Sequence, residues 1–175
     1  MARALAIGDV APNFDLSSTE DVLLMLRDEA PRTAVLLYFF SPDAEGQLER
    51  CKADLRALSQ ARDDLKKSQA KAMAISPQKV NVLKELQREL GLNFPLLRDD
   101  RKFSAAYGVV VPEEGVAPPG LVVVDRYQKV LWLSNPVESV AEAMPTIMKL
   151  IKGLPASTAQ YPRSIINRLV DLWVN

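Results

Sequence analysis

The sequence contains no histidine and a single cysteine, and these two shortages exclude most of the common catalytic arrangements. Without histidine there is no Ser-His-Asp or Cys-His catalysis, and a zinc site is not expected. The one cysteine, Cys51, allows neither an internal disulfide nor a Cys-x-x-Cys redox pair. Side-chain chemistry must therefore come from Cys51, carboxylates, lysines or arginines.

An excess of charge and a long apolar run are lacking as well. The 22 basic residues are balanced by 22 acidic ones, so no basic surface for nucleic acid or membranes is indicated. The apolar run at 34–40 is too short to span a bilayer, and the first residues lack the apolar core of a signal peptide. We therefore expect a cytoplasmic protein with no membrane span and no nucleic-acid partner.

The first half of the chain alternates between strand and helix patterns. The apolar run at 34–40 predicts a strand that is buried on both faces, and a second buried strand is expected at 70–75. Between them, apolar residues at helical spacing predict one helix over about 47–68. Ser76 is a candidate N-cap of a further helix, for which Gly91 is the candidate C-cap.

The second half predicts a short helix at about 102–107 and then a hairpin with strands at 121–124 and 130–133. A last helix is expected between Asn135-Pro136 and Gly153, kinked or divided at Pro145. A βαβ unit followed by a ββα unit predicts parallel strands with helical crossovers and an antiparallel edge.

Cys51 opens the helical pattern that follows the strand at 34–40 and the polar loop of Ser41–Arg50. The positive end of a helix dipole favours a thiolate, so this position suits a reactive sulfur. A buried structural cysteine, which behaves as a small hydrophobic residue, is the alternative. The residues alone leave both interpretations open.

Five short motifs occur in order along the chain: Gly8-Asp-Val-Ala-Pro-Asn-Phe-Asp-Leu16, Tyr38-Phe-Phe-Ser-Pro42, Ala74-Ile-Ser76, Leu92-Asn-Phe-Pro-Leu-Leu-Arg-Asp99 with Ala106-Tyr-Gly-Val109, and Val122-Val-Val-Asp125. Each is weak alone. Together, over about residues 7–152, the chain resembles the peroxiredoxins of the alkyl hydroperoxide reductase and thiol-specific antioxidant group, nearest the Q-type (bacterioferritin comigratory protein) branch.

This resemblance implies an α/β fold, a thioredoxin-like sandwich in which helices flank a central mixed β-sheet. It places Cys51 at the peroxidatic position, followed by Lys-Ala-Asp54-Leu, which is similar to the family's C-x-x-E-L. A hydroperoxide and an external thiol reductant are the implied partners. No cofactor and no metal are implied.

The candidate site departs from the family pattern at several positions. Pro42 opens a loop that reaches Cys51 two residues later than usual, and Leu48 stands where the family has a threonine. Pro119 falls near the family's arginine, and Arg56 replaces the Q-type resolving cysteine. We expect Pro42, Leu48 and Pro119 to form a shallow, rather apolar pocket in which the thiol pKa does not fall far below its usual value.

The segment Ala117-Pro-Pro-Gly120 has two interpretations. Pro118 or Pro119 is a candidate for the cis-proline that thioredoxin-like proteins place before this strand. A rigid trans turn into the strand is the alternative, and the residues do not decide between them.

The sequence predicts a domain at 1–153, a linker at 154–162 and an amphipathic helix at 163–175. The apolar residues of the helix lie on one face: Ile165, Ile166, Leu169, Val170 and Trp173. Such a helix either packs onto its own domain or docks on a partner or a second copy. Our sequence hypothesis is that residues 163–174 serve assembly, as a homo-oligomer or with another protein.

Three functions follow from these observations. The first is a weak one-cysteine thiol peroxidase that reduces hydroperoxides through Cys51. The second is a peroxiredoxin fold with a degenerate site that acts as an interaction or assembly subunit, and the third is a thiol sensor or chaperone-like redox protein. The position of Cys51 favours the first, whereas Leu48, Pro119 and the added helix at 163–175 favour the second.

Overall fold

The computed structural model describes residues 5–43, 46–99, 102–109 and 119–155. Two of the expectations, the conformation of Pro118 and the helix at 163–175, lie outside these ranges. Within them the chain forms the following elements in order: β1 (Asp15–Ser17), β2 (Leu23–Met25), α1 (Leu26–Glu29), β3 (Ala34–Phe39), α2 (Leu48–Gln60), α3 (Arg62–Lys67), β4 (Ala70–Ser76), α4 (Val80–Leu90), β5 (Leu96–Arg98), α5 (Lys102–Ala106), β6 (Gly120–Val124), β7 (Val130–Ser134) and α6 (Val140–Lys152).

Five strands form a mixed sheet in the order β5-β4-β3-β6-β7. β3 is central and pairs in parallel with β4, which pairs in parallel with β5. On its other side β3 pairs antiparallel with β6, and β6 and β7 form an antiparallel hairpin at the sheet edge. The predicted mixed sheet, the central strand and the edge hairpin are confirmed.

β3 is buried at all six of its residues, and its side chains alternate between two apolar layers. Leu36 and Tyr38 face the layer that contains α2 and α6, whereas Leu37 and Phe39 face the layer that contains Phe14. This alternation explains why the run at 34–40 is apolar without interruption. It also directs the Tyr38 ring towards the helix that carries Cys51.

The predicted helix over 47–68 is wrong in its continuity, because it is two helices that meet at Ala61. Leu58 and Leu65, one from each helix, are nevertheless buried in the same layer. The spacing of the apolar residues therefore predicts the buried face that the two helices share, but it does not show that the helix is interrupted at Ala61.

The predicted start of the next helix is also wrong. Ser76 is the last residue of β4, and α4 begins at Val80 with Lys79 at its N-cap position. Strand pairing with β5 reaches Ser76 and outweighs its capping preference. The C-cap prediction is confirmed, since Gly91 adopts the left-handed conformation with φ +59°.

α6 begins later than predicted, after Ser139, whose hydroxyl accepts a hydrogen bond from the Glu142 N–H at 3.3 Å. Pro145 lies inside a single helix and does not divide it. The Asn135–Pro136 peptide bond is cis. The bonds that precede Pro118 and Pro119 involve residues outside the described ranges, so that expectation stays a prediction.

In the part of the chain that the structure describes, none of the helices is both long and apolar enough to cross a membrane.

Gly120, at the start of β6, packs too closely for a larger residue. A Cβ atom there would lie 2.9 Å from Cγ2 of Val109, which is buried and, as a β-branched residue, has little rotamer freedom. We expect Gly120→Ala to lower the free energy of unfolding by about 1–3 kcal/mol, measured by urea denaturation. Gly153→Ala is the matched control and should be nearly neutral, since its Cβ would meet only ordinary contacts from 3.4 Å. Equal stability of the two variants would contradict the argument.

Candidate functional site

Cys51 lies in the first turn of α2, beyond the carboxyl end of β3. Its backbone N–H donates to the Gln47 carbonyl at 2.8 Å, which closes the first turn of the helix. The residue is only 1% exposed. The structure therefore places the sulfur at a helix N-terminus, as the sequence predicts, but below the surface.

The thiol has a mixed electrostatic environment. Burial raises the pKa of Cys51, and the negative charge of Asp54 adds to this effect. Hydrogen bonds from the Tyr38 hydroxyl and the Ser41 backbone N–H, together with the positive charge of Arg50, lower the pKa. Burial is the largest contribution, and the net direction is upward, so the protonated thiol predominates at neutral pH.

A buried carboxylate, Asp54, joins three elements next to the thiol. It is 4% exposed and lies one helical turn after Cys51 on α2. Its Oδ2 accepts from the Tyr38 hydroxyl of β3 at 2.8 Å, and its Oδ1 accepts from the Val140 N–H at 2.9 Å. Val140 is the first residue of α6, so the carboxylate also meets the positive end of that helix dipole.

Burial raises the pKa of the Tyr38 hydroxyl well above its usual range, with further contributions from Cys51 and Asp54. Tyr38 therefore stays protonated and acts as a hydrogen-bond donor at physiological pH. Its ring stacks on Phe40 with the centroids 5.6 Å apart, which fixes the position of the hydroxyl beneath α2.

Arg50 connects α2 to the segment that contains Pro119. Its Nη2 donates to the Val137 carbonyl and, at 2.8 Å, to the Glu138 carbonyl. The Val137 N–H in turn donates to the Pro119 carbonyl at 2.7 Å. Within the described ranges, Nε of Arg50 is buried without a hydrogen-bond partner, and so is Oε1 of Gln47.

The residues expected to form the pocket lie in different environments. Pro42 is half-buried in the loop after β3, Leu48 is 41% exposed, and Pro119 is buried beside Gly120. Gly120 pairs with Phe39 in the sheet, so Pro119 lies at the same sheet end as Cys51. That Pro42, Leu48 and Pro119 enclose one pocket around the sulfur stays a prediction.

Sequence reasoning missed the roles of Tyr38 and Asp54. The signal was present in two periodicities, because Cys51 and Asp54 are three residues apart on a helix and Tyr38 faces the same layer from β3. Lys52, next to Cys51 on α2, pairs with Glu89 at 2.7 Å.

Among the residues that the structure describes, no group of three or more cysteine or acidic side chains is placed to hold a metal ion. The chemistry available is that of one thiol, one tyrosine hydroxyl, one guanidinium and one buried carboxylate.

Comparisons with known proteins point to one family. The family model described as AhpC/TSA family matches residues 7–133. Alkyl hydroperoxide reductase E of Mycobacterium tuberculosis is 33% identical over 125 residues, which cover 70% of this chain and 80% of that protein. The chloroplastic 2-Cys peroxiredoxin BAS1 of Hordeum vulgare is 28% identical over 143 residues, which cover 72% of this chain and 67% of that protein.

A likeness in fold accompanies the likeness in sequence. The crystal structure of peroxidoxin BcpB from Mycobacterium tuberculosis superposes with a TM-score of 0.76 at 18% identity. The superposition covers 87% of this chain and 99% of that one. At this identity the match concerns the fold, which is thioredoxin-like.

Removal of the Asp54 carboxylate should destabilise the domain. In Asp54→Ala the Tyr38 hydroxyl and the Val140 N–H would lose their partner in a buried position. We expect the free energy of unfolding to fall by about 1–3 kcal/mol for each group left unsatisfied. Glu85→Ala, at an exposed position of α4, is the control and should stay within about 0.5 kcal/mol of the parent. A loss in Asp54→Ala no larger than in the control would show that the network contributes nothing.

Two conservative substitutions should move the thiol pKa in opposite directions. Tyr38→Phe removes a hydrogen bond that lowers the pKa of Cys51, so the pKa should rise. Asp54→Asn removes a charge that raises it, so the pKa should fall and more thiolate should be present at pH 7. The ultraviolet absorbance of the thiolate, followed against pH, measures both shifts. Shifts of the same sign in the two variants would contradict the assignment.

Proposed function

We propose that this chain, which belongs to the AhpC/TSA family, reduces hydroperoxides slowly through the thiol of Cys51. The observation that supports this most is the position of Cys51. It lies in the first turn of α2, where the Tyr38 hydroxyl, the Ser41 backbone and the positive charge of Arg50 lower the thiol pKa against the effect of burial. A site of this kind can hold a thiolate once the proton has left.

In the proposed first step, the Cys51 thiolate attacks one oxygen of a hydroperoxide. A sulfur–oxygen bond forms and the oxygen–oxygen bond breaks, so the sulfur is oxidised to a sulfenic acid and the peroxide is reduced. The other oxygen leaves as an alkoxide, or as hydroxide from hydrogen peroxide, and takes up a proton to give an alcohol or water.

The second step needs a reductant from outside the chain, because Cys51 is the only cysteine in the sequence. A small or protein thiol attacks the sulfenic sulfur, a mixed disulfide forms and water leaves. A second thiol then attacks the reductant's sulfur in the mixed disulfide, so that the bond to Cys51 breaks, the Cys51 thiolate is released and the two reductant thiols leave as a disulfide. These steps use one chain only, so they do not depend on whether residues 163–174 join copies or bind another protein.

The residues around Cys51 limit the rate of this reaction. Tyr38 and Ser41 stabilise the thiolate, but burial keeps its fraction low at neutral pH. Leu48 cannot donate a hydrogen bond to a peroxide oxygen, and Pro119 carries no charge to stabilise the departing oxygen. The Arg50 guanidinium, whose charge lowers the pKa of Cys51, has its Nη2 already bonded to two carbonyls. A slow peroxidase is the expected result.

Replacement of the sulfur tests the proposal directly. Cys51→Ser should abolish hydroperoxide consumption measured with an excess of a dithiol reductant. In the parent the rate should rise with pH as the thiol ionises, because the pKa of Cys51 is raised. Equal rates for Cys51→Ser and the parent would show that the nucleophile is wrong.

A separate measurement tests the alternative of a degenerate site. Alkylation of Cys51 by iodoacetamide reports whether the thiolate is accessible without any peroxide. If the thiol is alkylated but hydrogen peroxide produces no sulfenic acid by mass spectrometry, the peroxidase proposal fails and the degenerate site is favoured.

A further inference from the structure

A second concave surface lies at the opposite end of the sheet from Cys51. It is bounded by residues near the amino ends of the parallel strands, including Thr33 before β3, Ala70 and Ala72 in β4, and Pro95 before β5. Its volume is about 290 Å³, at the lower limit for small-molecule pockets, so a few large side chains would fill it. We call it the distal pocket.

The distal pocket has an apolar floor and a polar rim. The floor is formed by Leu58, Leu65, Ala70, Ala72 and Phe94. Arg62 and Lys66, one helical turn apart on α3, are exposed at its rim, where their aliphatic stems can cover an apolar occupant. The Thr33 hydroxyl is buried at the same place and has no hydrogen-bond partner among the described residues.

The last described residues of the chain lie close to this rim. Leu154 packs against the core beside α6, and the Pro155 carbonyl accepts a hydrogen bond from Nη1 of Arg126. Nη2 of the same guanidinium donates to Oε1 of Gln69 at 3.0 Å. Gln69 lines the distal pocket, so one planar group connects the end of the described chain to the pocket wall.

The residues that follow Pro155 supply a matching surface. Residues 156–162 can span up to about 23 Å when extended. The guanidinium of Arg126 alone bridges Pro155 and the pocket residue Gln69, so this length is enough to reach the pocket. Beyond them lies the apolar stripe of 163–174, whose largest member is Trp173. A segment tethered at the rim has a high effective concentration there, which favours it over a second copy.

We propose that residues 163–174 bind the distal pocket of their own chain, with Trp173 shielded from solvent against the floor. This placement chooses between the two alternatives that the sequence leaves open, in favour of the segment's own domain and against assembly. It is independent of the peroxidase chemistry, because the distal pocket and Cys51 lie at opposite ends of the sheet.

Trp173 fluorescence provides the test, because the chain has only one other tryptophan, Trp132. In the full-length Trp132→Phe protein, the Trp173 emission should be blue-shifted relative to the unfolded chain and protected from acrylamide. Both properties should persist on dilution, with a monomer mass by native mass spectrometry at the lowest concentration. Emission of an exposed indole would overturn the proposal, and so would shielding that disappears on dilution as a dimer dissociates.

A pocket substitution locates the shielded site. Ala72 is 7% exposed in the pocket, so Ala72→Met in the Trp132→Phe protein should fill part of the pocket and displace the segment. The Trp173 emission should then shift to the red and acrylamide quenching should increase. Ala105→Met, at an exposed position of α5, is the matched control and should leave both unchanged. If folded Ala72→Met protein keeps the parent's emission, Trp173 binds elsewhere and the proposal is wrong.

A proximity measurement remains decisive even if Ala72→Met fails to fold. In a Cys51→Ser, Trp132→Phe background, a nitroxide attached through Lys66→Cys lies at the pocket rim. The same label at Lys79→Cys is the control, because Lys79 follows β4 at the other end of the sheet. The nitroxide at position 66 should quench Trp173 strongly at every concentration, and the one at position 79 should not. Equal quenching from both positions, or none from position 66, would overturn the proposal.

Discussion

The Asp54 carboxylate holds together the parts of the molecule on which the candidate site depends. It is buried, and its two oxygens bond the Tyr38 hydroxyl of β3 and the Val140 N–H of α6. A buried carboxylate is costly unless it is hydrogen-bonded, and here both oxygens have partners. The central strand, the helix that carries the thiol and the last described helix are thereby fixed relative to one another.

The same group shapes the reactivity of the sulfur. Asp54 adds to the burial that raises the pKa of Cys51, while Tyr38, Ser41 and Arg50 act against it. The network that stabilises the fold therefore works against the thiolate. The chain belongs to the AhpC/TSA family and has a cysteine whose pKa is raised, which is the basis for proposing a slow enzyme.

Much of the fold was predictable because its signals are local and strong. The run at 34–40 is apolar at every position, and the hairpin strands at 121–124 and 130–133 flank a clear turn. The starts of the helices after Ser76 and Pro136 were misplaced. There, strand pairing and the Ser139 cap decide the boundary, and neither is visible as apolar spacing.

The site was predictable only in part, for a related reason. The position of Cys51 follows from the order of strand, loop and helix, all of which the sequence shows. The bonds of Asp54 join residues 16 and 86 positions apart, and the contacts of Arg50 span similar distances. Such pairs depend on how β3, α2 and α6 pack, which a single sequence does not specify.

The Tyr38 hydroxyl carries one proton, which it donates to the carboxylate of Asp54 at 2.8 Å, and the same hydroxyl lowers the pKa of Cys51. When the sulfur ionises, it attracts the Tyr38 proton more strongly. Any strengthening of that interaction weakens the hydrogen bond from Tyr38 to Asp54. A carboxylate that receives less from Tyr38 depends more on the Val140 N–H at the start of α6. We therefore expect ionisation of the Cys51 sulfur to change the hydrogen bond that joins Asp54 to the start of α6, 86 residues further along the chain. Loss of the thiol proton is in this way a structural event as well as a chemical one.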